Sequence, residues 1–140
     1  MTESNAYLSD LERLPKDGRF VERAYELMDT WTSGSVGIEG VEAVLRFMEA
    51  HPDVDYGSPG PLVHFVERFY GHGYEQVLIN SIKRQPRAHT MWMLIAVVNG
   101  TRDLEARRRL MAVLAEAAED ASLDSFVRSE VQELLARQPA

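Results

Sequence analysis

The sequence contains no cysteine. Disulfide bonds and thiolate metal sites are therefore excluded, and no thiol can have a redox role. It also has no run of about 18 apolar residues, so we expect no membrane-spanning helix. The segment Met1–Ala6 lacks the basic and apolar regions of a secretory signal. We therefore expect a cytoplasmic protein.

Basic residues are scarce except in one central region. The net charge of −7 divides into 14 acidic and 6 basic residues in 1–75, 2 acidic and 7 basic in 76–110, and 6 acidic and 2 basic in 111–140. An acidic protein repels nucleic acid at long range and attracts basic partners, although the same bias also serves solubility. We therefore expect no direct binding to nucleic acid.

Strand-like alternation of apolar and polar residues is missing, and apolar residues recur at helical spacing instead. In 18–31, Phe20, Ala24, Met28 and Trp31 fall on one stripe with Leu27. Comparable stripes predict further helices over about 36–50, 61–70, 74–84, 86–98, 103–118 and 122–137. Leu104 and Phe126 are among the residues expected to point inward. The prediction is an all-α protein of about six to seven helices, in antiparallel hairpins forming a HEAT-like stack or a small bundle.

The size of the chain predicts a single domain over 1–140, because 140 residues with 45% hydrophobic content suffice for one core. Residues 1–16 allow two predictions. Tyr7, Leu8, Leu11 and Leu14 have near-helical spacing that ends at Pro15. This segment is expected to be either a short docking helix or a loosely packed arm.

The helical rhythm stops at residues 51–61, which contain three prolines, two glycines and two aspartates. Pro61 suits the first turn of a helix, and Asp55 can accept a hydrogen bond from the N–H of Gly57 or Ser58. In the preceding helix, Gly37 and Gly40 either weaken the helix locally, or Gly40 instead allows another helix to approach closely. We expect the loop to set the direction in which the helix at 61–70 starts.

Catalytic and metal chemistry has little support in the sequence. His64 and Glu67 lie three residues apart, but no His-Glu-x-x-His pattern is present, and we expect no metal and no cofactor. Asp53 and Asp55 alternate in an extended loop, so their carboxylates should share a side, opposite Val54. With Glu67 and His64 they could form a small hydrolase site. Turn capping explains the aspartates more simply, and we expect no enzyme. The other histidines are His51, His72 and His89.

Protein binding is the function class that the residues favour most. Aromatic anchors inside a polar rim carry much of the energy of protein interfaces. Tyr56 and Tyr70 are expected to be partly exposed. The candidate partner-binding residues are Asp53, Asp55, Tyr56, Glu67, Tyr70 and Tyr74.

The central third of the chain resembles a known family. The residues that carry the resemblance are DVDYGSPGPLVHFVE at 53–67, Tyr74 and Glu75, Leu78, SIKRQP at 81–86 and TMWML at 90–94. Over roughly 50–100 the chain is similar to bacterial immunity proteins of polymorphic toxin and contact-dependent inhibition systems.

The resemblance implies a cytoplasmic antidote that binds a cognate toxin domain, often a nuclease, and blocks its active site. The acidic segments would then mimic a phosphate backbone towards a basic cleft and speed association. A helical-repeat adaptor with another protein partner is the alternative, and the small hydrolase is a third. The sequence leaves the oligomeric state open.

Overall fold

The protein is all-helical over the residues that the computed structural model describes, which are 3–137 for the backbone and 5–137 for the side chains. This part of the chain forms eight α-helices and no strand. It contains no helix that is both long and apolar enough to cross a membrane. The outermost residues of the predicted domain, 1, 2 and 138–140, lie outside the described ones. The helices are α1 (Glu3–Glu12), α2 (Phe20–Ser33), α3 (Ile38–Ala50), α4 (Pro61–Glu67), α5 (Tyr74–Arg84), α6 (Ala88–Gly100), α7 (Leu104–Ala117) and α8 (Ser125–Arg137).

The predicted all-α class is confirmed, and the predicted count of about six to seven helices is slightly low. The eighth helix is α1, which lies in the segment that was expected to be a helix or an arm. It packs against α3, and Leu11 at its end is fully buried. The contacts divide the chain into two compact units, Met1–Val77 and Leu78–Ala140. A single domain over 1–140 stays a prediction.

Aromatic contacts form the core of the first unit. The rings of Phe20 in α2 and Phe47 in α3 stack with centroids 5.9 Å apart. Trp31 in α2 meets Phe65 in α4 edge to face at 5.5 Å. Both arrangements are favourable for aromatic pairs beyond the area that they bury. The first contact joins α2 to α3, and the second fixes α4 against α2, so the turn that follows α4 has a defined position.

Gly40 lies where α3 packs against Phe65 of α4. A Cβ at this position would lie 3.1 Å from Cζ of Phe65 and 2.6 Å from Cγ1 of Val36. The close approach that was predicted at Gly40 is therefore present. Pro61 is at the start of α4, in the first turn as predicted, where its missing N–H is harmless.

The ends of α1 and α3 are joined by a polar contact. Nε2 of His51 lies 2.9 Å from both carboxylate oxygens of Glu12, and Nζ of Lys16 lies 3.5 Å from Oε1. Burial raises the pKa of Glu12, but the hydrogen bond and charge of His51, with the charge of Lys16, outweigh it. The pKa of Glu12 is therefore lowered.

In the second unit, α6, α7 and α8 each contact the other two. Asp103 caps α7, since its carboxylate accepts a hydrogen bond from the N–H of Ala106 at 2.9 Å. Arg128 in α8 donates to the backbone carbonyls of Ala118 and Asp120, each at 2.9 Å. These bonds hold the α7–α8 turn against α8.

The prediction that Leu104 and Phe126 point inward is wrong. Leu104 is 58% exposed and Phe126 is 66% exposed. Both lie in the first turn of a helix, and helical side chains tilt towards the N-terminus. They therefore extend past the helix end, although they continue the apolar stripes of α7 and α8.

Candidate protein-binding surface

The two aspartates of the 51–61 loop are both exposed. Oδ1 of Asp55 accepts a hydrogen bond from the N–H of Gly57 at 3.0 Å, as predicted. Asp53 precedes it by two residues. These carboxylates therefore contribute negative charge at the surface of the first unit, and that of Asp55 also organises the turn.

Tyr56 is buried, and the prediction that it is partly exposed is wrong. Its ring meets Phe20 and Phe47 edge to face, with centroids 5.6 Å and 6.2 Å away, and it is 2% exposed. Its hydroxyl donates to the carbonyl of His51 at 2.7 Å, so burial leaves the polar atom satisfied. A signal was present in the sequence: Tyr56 follows Val54 by two residues and shares the side opposite the carboxylates. Tyr56 anchors the loop to the core.

The turn between α4 and α5 has its own local support. Gly71 and Gly73 have φ of 75° and 106°, which L side chains rarely adopt. A Cβ at Gly73 would lie 3.2 Å from Cδ1 of Ile38, so this turn sits close to the start of α3. Both carboxylate oxygens of Glu75 accept the N–H of Gly71, at 3.1 and 3.0 Å. Tyr70 directly precedes Gly71, so the bonds from Glu75 hold the chain next to it in place.

Tyr70 is 41% exposed, which confirms that it is partly exposed. Its ring packs edge to face on Tyr74 at 5.3 Å, and Tyr74 is 1% exposed. The Tyr70 hydroxyl lies 3.5 Å from Oε2 of Glu67, a weak hydrogen bond at the limit of useful distance. We call Glu67, Tyr70 and Glu75 the Tyr70 surface. It presents an aromatic ring, supported from below by a buried one, beside two carboxylates.

Burial and nearby carboxylates favour the neutral form of Tyr70 and of Tyr74 at the start of α5. Burial raises the pKa of the Tyr70 phenol, and the negative charges of Glu67 and Glu75 raise it further. Burial also raises the pKa of Tyr74 far above its ordinary value, with smaller contributions from Tyr70, Glu67 and Glu75. Tyr70 thus offers an apolar ring and a protonated hydroxyl donor, a combination that suits an interface anchor.

The residues proposed for hydrolysis are only partly brought together. Nδ1 of His64 lies 3.9 Å from Oε1 of Glu67, at the exposed surface of α4. In residues 5–137, no hydrogen bond or ion pair joins Asp53 or Asp55 to either of them. Within the same residues, no group of three histidine or acidic side chains is placed to hold a metal ion. The contacts do not assemble the four groups into one site.

The six predicted partner-binding residues divide by exposure, and their role in binding stays a prediction. Asp53, Asp55 and Tyr70 are exposed and Glu67 is half-buried, whereas Tyr56 and Tyr74 lie in the core. Sequence reasoning missed Glu75 as part of the surface. The signal was its position four residues after Gly71, within reach of the turn that the glycine forms. Comparisons of the chain with protein-family models, curated proteins and solved structures found no match.

Proposed function

We propose that this chain is an immunity protein that binds a cognate bacterial toxin domain and neutralises it by direct contact. The observation that supports this proposal most is the Tyr70 surface. Its aromatic ring is partly exposed, rests on Tyr74 and is flanked by Glu67 and Glu75. Aromatic anchors with a polar rim are typical of interface hot spots. The resemblance of 53–67 to immunity proteins suggests which class of partner it binds.

The charge of the first unit defines the chemistry of that partner. Residues 1–75 contain 14 acidic and 6 basic residues. Such a surface accelerates association with a basic protein and disfavours acidic ones. A nuclease toxin has a basic cleft that binds phosphates, so carboxylates placed over it would both attract the toxin and exclude its substrate. We propose this substrate mimicry as the mode of inhibition.

Two further properties belong to this proposal. An antidote of this kind acts in the cytoplasm, where a delivered toxin reaches its target, and we propose that location. We also propose that the helical hairpins are arranged in a HEAT-like manner. Such an arrangement presents helix ends and turns along one edge, which is the kind of position that the α4–α5 turn would need for binding.

The proposal predicts a toxin gene beside the gene of this chain, and the test is co-expression with the C-terminal domain of that toxin. We expect the chain to restore growth and to form a complex that survives gel filtration. Tyr70→Ala should weaken the dissociation constant by roughly 30-fold or more, the loss typical of a hot-spot residue. Glu75→Gln should slow association while retaining an oxygen that accepts the N–H of Gly71.

Tyr25→Ala is the matched control, because Tyr25 in α2 is 48% exposed and carries no role in this proposal. It should leave neutralisation unchanged. Undiminished toxicity with no complex would refute the proposed function. A complex with an unrelated protein, together with undiminished toxicity, would instead support the adaptor alternative.

A further inference from the structure

The second unit has an exposed aromatic surface that the proposed function does not use. Trp92 in α6 is 41% exposed, and Phe126 in α8 is 66% exposed. The indole N–H of Trp92 donates to Oε1 of Glu130 in α8 at 2.9 Å. Phe126 and Glu130 lie four residues apart on α8, so their side chains are neighbours on one side of that helix. We call Trp92, Phe126 and Glu130 the Trp92 face.

The hydrogen bond to Glu130 fixes the Trp92 ring. A free surface tryptophan loses rotamer freedom on binding, whereas a ring already held by its N–H loses less. The ring of His89, one turn earlier on α6, lies 6.3 Å from the Trp92 ring and crosses it at 71°. The indole is therefore oriented before any partner arrives, and it remains substantially exposed.

The formal charge shown beside this ring is the carboxylate of Glu130. The α6 helix contains no Lys, Arg, Asp or Glu, and α8 carries the half-buried Glu130 and, three residues later, the exposed Glu133. Arg128 is turned away, because its guanidinium donates to the carbonyls of Ala118 and Asp120. A cation over the indole would meet the negative face of the ring and a carboxylate beside it. Tryptophan is the best of the aromatic side chains for such cation–π contacts.

We propose that the Trp92 face binds a basic segment of a protein partner, with an arginine or lysine side chain over the indole and paired with Glu130. Phe126 packs against the apolar part of the same segment. A carboxylate accepts several hydrogen bonds, so Glu130 can hold the indole N–H and a guanidinium together. This inference concerns a different surface from the Tyr70 surface and stands without it.

The probe is a capped hexa-arginine peptide, with the matched peptide of uncharged citrulline as its control. The peptide is titrated into the full chain at about 0.15 M salt, where long-range attraction is largely screened. The readout is the NMR signal of the Trp92 indole N–H, identified by its loss in Trp92→Phe. We expect a saturable shift with hexa-arginine and none with the citrulline peptide.

Variants separate the specific site from general attraction. Trp92→Leu removes the aromatic ring and should weaken binding roughly three- to thirty-fold, the range that cation–π contacts span; the binding is monitored on backbone amide signals of α6. Glu130→Gln should also weaken it, although its amide oxygen still accepts the indole N–H. Tyr25→Ala removes an aromatic side chain of similar exposure from the acidic first unit and should leave the affinity unchanged.

Three outcomes would overturn the proposal. The first is a shift that never saturates, and the second is an equal loss of affinity in Tyr25→Ala and Glu130→Gln. The third is concentration-dependent self-association abolished by Phe126→Ala, which would show that a second copy of the chain covers this face. If peptide binding to the Trp92 face fails, the proposed toxin neutralisation is unaffected, because the co-expression assay tests the Tyr70 surface of the first unit.

Discussion

At the scale of single residues, the packing of α3 against α4 requires a residue without a side chain at position 40. The ring of Phe65 that faces it is itself fixed, because it packs against Trp31 at 5.5 Å and Phe69 at 5.5 Å. A ring held on two sides cannot shift to admit a methyl group. This glycine therefore permits the close approach of α3 and α4.

We expect Gly40→Ala to destabilise the protein by roughly 1–2 kcal/mol. Overpacking of a core contact typically costs about 1–3 kcal/mol, and the better helix propensity of alanine returns up to about 1 kcal/mol. Chemical denaturation monitored by circular dichroism measures the difference. Gly18→Ala is the control, since a Cβ there would meet nothing within 4 Å. A Gly40→Ala protein as stable as Gly18→Ala would contradict the packing argument.

Single residues were predictable from sequence where local chemistry decides their role. Asp55 accepts the Gly57 N–H and Pro61 opens a helix because both depend on neighbours in the chain. The prediction for Tyr56 was wrong because it used the loop alone, whereas the burial of Tyr56 depends on contacts with Phe20 in α2 and Phe47 in α3. A general preference for exposed loops does not encode such contacts.

At the scale of elements, the conformation of Gly60 determines how α4 begins. Gly60 has φ 92° and ψ 173°, a region essentially restricted to glycine. A Cβ at this position would lie 1.6 Å from the carbonyl oxygen of Tyr56. Gly71, in the turn after α4, also has positive φ, but a Cβ there would meet nothing within 4 Å. Alanine at either position would have a strained backbone, but only alanine at position 60 would also clash with a neighbouring atom.

We therefore expect Gly60→Ala to cost roughly 3 kcal/mol or more, towards the upper end for single substitutions. Gly71→Ala should cost only roughly 1–2 kcal/mol, which is the strain of the left-handed conformation itself. Urea denaturation of both variants under one set of conditions gives the comparison. Equal losses would show that strain alone, without the clash at the Tyr56 carbonyl, determines the requirement for glycine.

Helix positions were largely predictable because the apolar residues at helical spacing are mostly the residues that each helix buries. The helix at 74–84 was predicted with its observed bounds, and the others begin or end a few residues away. The stripes failed at Leu104 and Phe126, since periodicity does not show that a first-turn side chain extends past its helix. The Trp92 face could not be predicted from sequence either, because the hydrogen bond from Trp92 to Glu130 joins two helices that are far apart in sequence.

At the scale of the whole molecule, acid should destabilise the fold through carboxylates in both units. Besides Glu12, hydrogen bonds from the Arg19 side chain and backbone lower the pKa of Asp17. Hydrogen bonds from the Ser122 side chain and backbone likewise lower the pKa of Asp120. The ordinary values are 4.5 for glutamate and 3.8 for aspartate. When the folded-state pKa is the lower one, the unfolded chain binds protons first as the pH falls.

We expect the free energy of unfolding to be insensitive to these three groups above about pH 5 and to decrease as the pH falls through their folded-state pKa values. The triple variant Glu12→Gln, Asp17→Asn, Asp120→Asn should show a shallower decrease between about pH 5 and pH 3. Denaturant titrations at a series of pH values measure the slope. A slope as steep as that of the unmodified chain would assign acid sensitivity to other carboxylates. All three groups lie near the surface, so the difference should be modest.

The two tryptophans give each compact unit its own fluorescent reporter. Trp31 is 3% exposed in the core of the first unit, and Trp92 is 41% exposed in the second. Indole emission shifts to longer wavelength in contact with water, so the buried ring should emit at shorter wavelength than the exposed one. A chain that retains only Trp31 reports the state of the first unit, and one that retains only Trp92 reports the second. The natural sequence thus carries an optical label for each half of its fold.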